Sequence, residues 1–233
     1  MKKIWSVIFV LLISLHAWAQ SPVRFYQGGK AGYKDPVTGK VIVDAKYDAA
    51  SEFHEGYAIV MQDRKRGFIN DKGEVVVPLK FDDVSLFHEG LAKAAIDHGY
   101  GFINTKGDWV IQPIYTAAGD FVTGLARVKR DNQSGFIDRN GNAVIPLQYE
   151  DAFNFSEGLA PVRREGLWGY IDTKGTTIIP FKYEIANVFR NGEAVVREGG
   201  KGFYIDKSGA FLRDLPKHEE EWEEKMKKDD DED

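Results

Sequence analysis

Cysteine is absent from this chain of 233 residues. Without a thiol there is no disulfide and no site for lipid acylation, so stability has to come from burial alone. Long apolar runs are nearly absent too. The one at the front, Ile4 to Leu15, is about 12 residues, where a bilayer span needs about 20. Lys2 and Lys3 precede it and Ala17-Trp18-Ala19 follows it, the three parts of a secretory signal peptide over 1–19. Cleavage is expected between Ala19 and Gln20, giving a periplasmic or secreted protein with no membrane span in its mature form.

Net charge is also missing from the body. Residues 20–213 carry 25 Lys plus Arg and 25 Asp plus Glu. That balance argues against nucleic acid as a partner, since a phosphate backbone is met by a basic stripe. Only 214–233 is lopsided, with 11 acids against 4 bases and the unbroken block Asp229 to Asp233. Such blocks stay solvated, so an acidic, disordered tail is expected there, either solubilising or docking a basic partner. Trp222 is its one anomalous residue.

What the chain has in abundance is repetition. Phe53, Phe87, Phe121, Phe155 and Phe189 are spaced by 34, as are Gly56, Gly90, Gly124, Gly158 and Gly192. Gly73 to Gly209, Tyr47 to Tyr183 and Ile69 to Ile205 run in the same register. Five ladders in one register mark a repeat architecture. A worn copy stands at the front, where Gly28-Gly29-Lys30-Ala31-Gly32-Tyr33 echoes Gly199-Gly200-Lys201-Gly202-Phe203-Tyr204. Terminal repeats diverge because one face meets solvent. The expected organisation is a degenerate capping repeat over 20–52, five repeats over 53–213, and the tail.

Within a unit, Ala58 and Val60 alternate with polar positions, the period of a half-buried strand. Phe68-Ile69 begins a second strand that ends in Asn70-Asp71-Lys72-Gly73, hairpin chemistry in which glycine takes positive φ. Val75-Val76-Val77 is a third strand, expected to stop at Pro78, as its counterparts stop at Pro113, Pro146 and Pro180. From Tyr47 to Gly56 the apolar residues are spaced by three and a glycine closes the stretch, which reads as one helical turn with a C-cap. The expected fold is therefore all-β: 34-residue units of three short strands plus a helical turn, stacked as a β-solenoid-like superhelix, with a closed β-propeller-like ring as the alternative.

These residues resemble the WG repeat family, whose unit combines aromatic-x-Glu-Gly-Leu-Ala, Trp-Gly-Tyr-Ile-Asp-x-x-Gly, and an apolar strand with proline and tyrosine. The fourth full repeat matches nearly throughout, from Phe155-Ser156-Glu157-Gly158-Leu159-Ala160 through Trp168-Gly169-Tyr170-Ile171-Asp172 and Lys174-Gly175 to Pro180 and Tyr183. Elsewhere the tryptophan is replaced, by Arg66, Tyr100 and Ser134, while Gly67, Gly101 and Gly135 remain; the fifth repeat shifts that glycine to Gly202. The resemblance implies an interaction scaffold without a shared reaction.

Candidate chemistry is sparse. His54 and His88 occupy equivalent positions, with Glu55 and Glu89 after them, but the ladder continues as Val122, Ser156 and Arg190, so a solvated loop position is preferred over a metal site. Asp138-Arg139-Asn140-Gly141-Asn142 resembles a calcium loop, yet the required glycine and glutamate fall on Ala143 and Tyr149, leaving a hairpin turn. The pairs Asp82-Asp83 and Glu150-Asp151 read as acids favouring a helix N-terminus. Serine-nucleophile, zinc-protease and phosphate-loop motifs are missing, the last even near Gly29 and Gly200, and no position breaks the repeat distinctively. No catalytic, metal or cofactor residue is assigned, and the ligand-binding residues are left open. The expectation is a monomeric, non-enzymatic scaffold that binds an unidentified protein through its repeat face, at exposed positions such as Arg163 and Arg164. The alternative is a carbohydrate or cell-wall binding module, which needs Trp109, Trp168 and the aromatic ladder to face solvent.

Overall fold

The computed structural model describes residues 21–216, and the expected signal peptide with its expected Ala19–Gln20 junction and the segment beyond Pro216 lie outside them. The described chain is six antiparallel sheets in sequence order. The first has three strands, β1 (Val23–Gln27), β2 (Lys30–Lys34) and β3 (Val41–Tyr47). The second has four, β4 (Ala49–Ala50), β5 (Tyr57–Gln62), β6 (Lys65–Asn70) and β7 (Val75–Phe81), paired in that order. Sheets three to six repeat this four-stranded unit.

Two features of the expected unit are corrected. No helix occurs among the described residues, and each full unit has four strands, so a solenoid of three strands plus a helical turn is overturned. The segment read as helical holds the fourth strand, β4, whose Ala49 and Ala50 pair with Met61 and Val60. Two residues are too few to show a period of two, which is why the strand left no alternation to read. Its closing glycine is the second residue of a tight hairpin: His54 and Tyr57 exchange both backbone hydrogen bonds, with Glu55 at φ 49° and Gly56 at φ 83°. Positive φ at both central residues is a type I′ turn. A helix C-cap also asks for positive-φ glycine, so the residue alone did not discriminate.

Proline does not end the last strand either. Pro78 lies inside β7, and Pro113, Pro146 and Pro180 lie inside its counterparts. This strand is the outer edge of its sheet, where a missing N–H costs no ladder bond. Opposite it the pairing slips: Arg66 faces Phe81 while Phe68 faces Val77, a bulge centred on Gly67. A Cβ on Gly67 would stand 2.4 Å from the Val77 carbonyl oxygen, and on Gly101 2.4 Å from that of Ile111. Close strand approach thus demands the glycine of the Trp-Gly pair, while the residue before it is free to vary.

The core lies between sheets. Each of five hydrophobic clusters joins one sheet to the next, as Phe68, Val77 and Phe81 of the second sheet meet Val84, Phe87 and Ala92 of the third. The Phe ladder makes these joints. Phe53 packs on Tyr33, Phe87 on Phe68, Phe121 on Phe102, Phe155 on Phe136 and Phe189 on Tyr170, with ring centroids 4.4–5.0 Å apart. A buried ring of this kind contributes about 1.5–3 kcal/mol by burial and about 0.5–1.5 kcal/mol by ring geometry.

Candidate binding groove

The ladder residues are scaffold. Phe87, Phe121, Phe155 and Phe189 are buried, and Phe53 is half-buried. Gly56, Gly90, Gly124, Gly158 and Gly192 each occupy the second position of a type I′ turn. Trp109 and Trp168 are half-buried, Trp109 set edge-on against Phe81, and Gly169 closes its bulge under the Ile179 carbonyl. A row of solvent-facing repeat aromatics, the form in which glycan binding was expected, is therefore not what the ladders build.

The candidate polar groups are engaged in holding turns and sheets. Asp82 takes Lys65 and the Asp97 N–H, which pin a hairpin at the non-glycine positive-φ pair Asp97-His98; Glu150 receives the Gly166 N–H in the same way. No helix terminus is involved, which corrects the reading of the acid pairs. The Lys65 ammonium, acting on Asp82 by hydrogen bond, holds its carboxyl below the usual range. Asp138 accepts from Asn140 and Asn142, a turn bond that likewise depresses it. His54 and His88 do come together, rings 5.3 Å apart, but His54 Nδ1 donates to the Phe87 carbonyl at 3.1 Å, a link between sheets. Ser156 Oγ does the same to Phe189 at 2.6 Å. Among the described residues no three His, Cys, Asp or Glu side chains group to hold a metal. Arg163 is exposed and faces Glu150 at 3.6 Å, whereas the Arg164 guanidinium lies over Tyr149 and Phe181, so it is a packing residue and not an open contact.

One groove stands out, of about 630 Å3, at the junction of the fifth and sixth sheets. Phe153, Val188 and Val195 form apolar wall, and Asn187, Arg190 and Tyr204 bring polar atoms to it. The volume falls within the range of small-ligand sites. Phe153 follows the short strand Asp151–Ala152, is 45% exposed, and stacks on Trp168 with centroids 5.1 Å apart and planes 22° from parallel. It was missed in the sequence. Its ladder reads Ser51, Ser85, Gly119, Phe153, Asn187. Ser51 and Ser85 accept a backbone N–H of their own unit through their hydroxyls, so a phenylalanine here performs no such scaffold duty. Contrary to expectation, a position does break the repeat, and comparison along this ladder would have shown it.

A stack of four-stranded antiparallel sheets with buried aromatic joints defines an all-β tandem-repeat protein. The chain belongs to the WG containing repeat family, whose model matches residues 32–65, 67–97, 100–133, 135–168 and 168–201. No curated protein matches the sequence. Among solved structures it is similar to a eukaryotic initiation factor, at 11% identity and a TM-score of 0.53 over 82% of this chain and 62% of that one. It is also similar to Hsv2p of Kluyveromyces lactis, at 10% identity and 0.51 over 81% of this chain and 71% of that one. This chain thus spans less than two thirds of the initiation-factor chain. Such likenesses concern the fold, which is propeller-like in its stacked sheets in place of the expected solenoid. No helix of the described residues is long and apolar enough to cross a membrane.

Proposed function

We propose that this protein is an exported, non-enzymatic binding module whose ligand is a carbohydrate, held in the groove between the fifth and sixth sheets. The carrying observation is Phe153: an exposed aromatic face, backed by Trp168 and bordered by the amide of Asn187. Flat apolar surface beside hydrogen-bonding amides suits a sugar ring, which has an apolar face and a hydroxyl rim. Export is supported by the basic head, apolar run and Ala17-Trp18-Ala19 of the leader. The test is retention of the mature chain, 20–233, on immobilised cell-envelope and plant polysaccharides. Phe153→Ala should weaken retention about tenfold, roughly 1.4 kcal/mol, with the fold intact by circular dichroism. Equal retention of the variant, or none by the parent, would overturn the proposal.

A protein partner is the second reading. It rests on the WG repeat array, which sets equivalent positions side by side, and on exposed repeat residues such as Arg163. Binding of an envelope protein that persists undiminished in Phe153→Ala would support it over the glycan.

A further inference from the structure

The groove breaks the repeat at two more positions besides Phe153, and both change its charge in one direction. Arg190 ends the ladder His54, His88, Val122, Ser156, and is its one guanidinium. Asn191 ends the ladder Glu55, Glu89, Thr123, Glu157. In the interior these positions link neighbouring sheets: Ser156 donates to the Phe189 carbonyl, and the carboxylates of Glu89 and Glu157 accept the N–H groups of Gly124 and Gly192. At the last sheet a cation replaces a neutral donor and an amide replaces a carboxylate. Each exchange makes the spot more positive, and both residues line the groove.

The neighbouring acids do not cancel that charge. Glu193, also in the wall, is held by both terminal nitrogens of Arg213 at 2.7 and 2.8 Å. Glu157 pairs with Lys207 at 3.1 Å. The Arg190 side chain is exposed and engages no described residue, so its five donors are available to a ligand. A guanidinium fork matches a carboxylate in two parallel hydrogen bonds. Asn187 and Asn191 can each donate and accept, as hydroxyl groups require.

Resting on the glycan reading above, we infer that the groove selects a carboxylated saccharide, one ring lying on Phe153 and its carboxylate on Arg190. The two contacts are separable by mutation: Phe153 supplies affinity for sugars in general, and Arg190 supplies the preference for acid.

The test uses the mature chain, 20–233, titrated with oligosaccharides of galacturonate, of alginate and of hyaluronan, each beside its methyl ester, which keeps the ring and removes the charge. The expected result is at least one acid form bound about tenfold tighter than its ester. That difference should vanish in Arg190→Gln, persist in part in Arg190→Lys, and weaken with added salt. Phe153→Ala should weaken acid and ester alike. Acid and ester bound equally by the parent, or a preference unchanged in Arg190→Gln, would overturn the inference and leave the glycan reading standing. No binding of any acid or ester would overturn the inference, and retention of the parent on neutral polysaccharides then decides the broader reading by itself.

Discussion

Replacing Gly101 by alanine should be among the most damaging single-methyl changes this protein can suffer. The added Cβ would stand 2.4 Å from the Ile111 carbonyl oxygen and 2.7 Å from the Gln112 carbonyl carbon, both backbone atoms with no rotamer to change. The two strands must part by most of an ångström beside Phe102 and Ile103, which are fully buried. Overpacking of this kind costs about 1–3 kcal/mol, and a ladder bond opened in a dry sheet adds about 1–3 kcal/mol, so about 2–6 kcal/mol is expected together. At roughly 2–4 °C per kcal/mol for a domain of this size, the melting midpoint should fall by about 10 °C. Gly202 is the internal control. There the nearest atom is Leu215 Cδ2 at 2.9 Å, the end of a flexible side chain, so alanine should cost about 1 kcal/mol or less. Urea unfolding followed by tryptophan emission and circular dichroism measures both. A Gly101→Ala variant within 1 kcal/mol of Gly202→Ala would refute the claim that strand proximity, and not backbone freedom, requires this glycine.

Further outcomes follow from the same geometry. Arg64 sits at φ 61°, a left-handed conformation that costs a side chain about 1–2 kcal/mol, so Arg64→Gly should raise the urea midpoint. Phe121→Ala removes a ring packed 4.7 Å from Phe102 and should lose about 3–5 kcal/mol; the half-exposed Phe153→Ala should lose under about 1 kcal/mol, which separates joint from groove. Acid should destabilise the fold through its turns. Hydrogen bonds from Thr176 to Asp172 and from Ser208 to Asp206 hold those carboxyls below their ordinary range. A depressed folded-state value adds stability that is complete above the unfolded value, about pH 4, and is lost as pH falls through the folded one. The urea midpoint of the parent should therefore drop below about pH 4, and less steeply in Asp172→Asn.

How much was legible in the chain follows from the length of each signal. Ladders such as Phe53 to Phe189 extend over the whole array, and they revealed the repeat, its all-β character and the positive-φ turns. The strand at Ala49–Ala50 is two residues long, shorter than any period, and its turn glycine suited a helix cap equally well. Pro78 reads as a stop, because sequence does not say which strand lies at the edge of its sheet. The closeness of His54 and His88 was readable from their spacing, but the Phe87 carbonyl that occupies His54 was not. Phe153 was readable in principle, as the one large aromatic in a ladder of small or polar residues, Ser51, Ser85, Gly119 and Asn187.

The sequence by itself determined the period, the positions that must be glycine or aromatic, and the balanced charge of the body, because each is a property of residues compared with their own copies. Only the tertiary structure decided that the unit has four strands, that the aromatic ladder is consumed in joints between sheets, and that Phe153, Asn187 and Arg190 share one groove. Those facts depend on which faces meet. Burial and proximity arise between segments far apart in the chain, and no residue carries a local mark of what will come to lie against it.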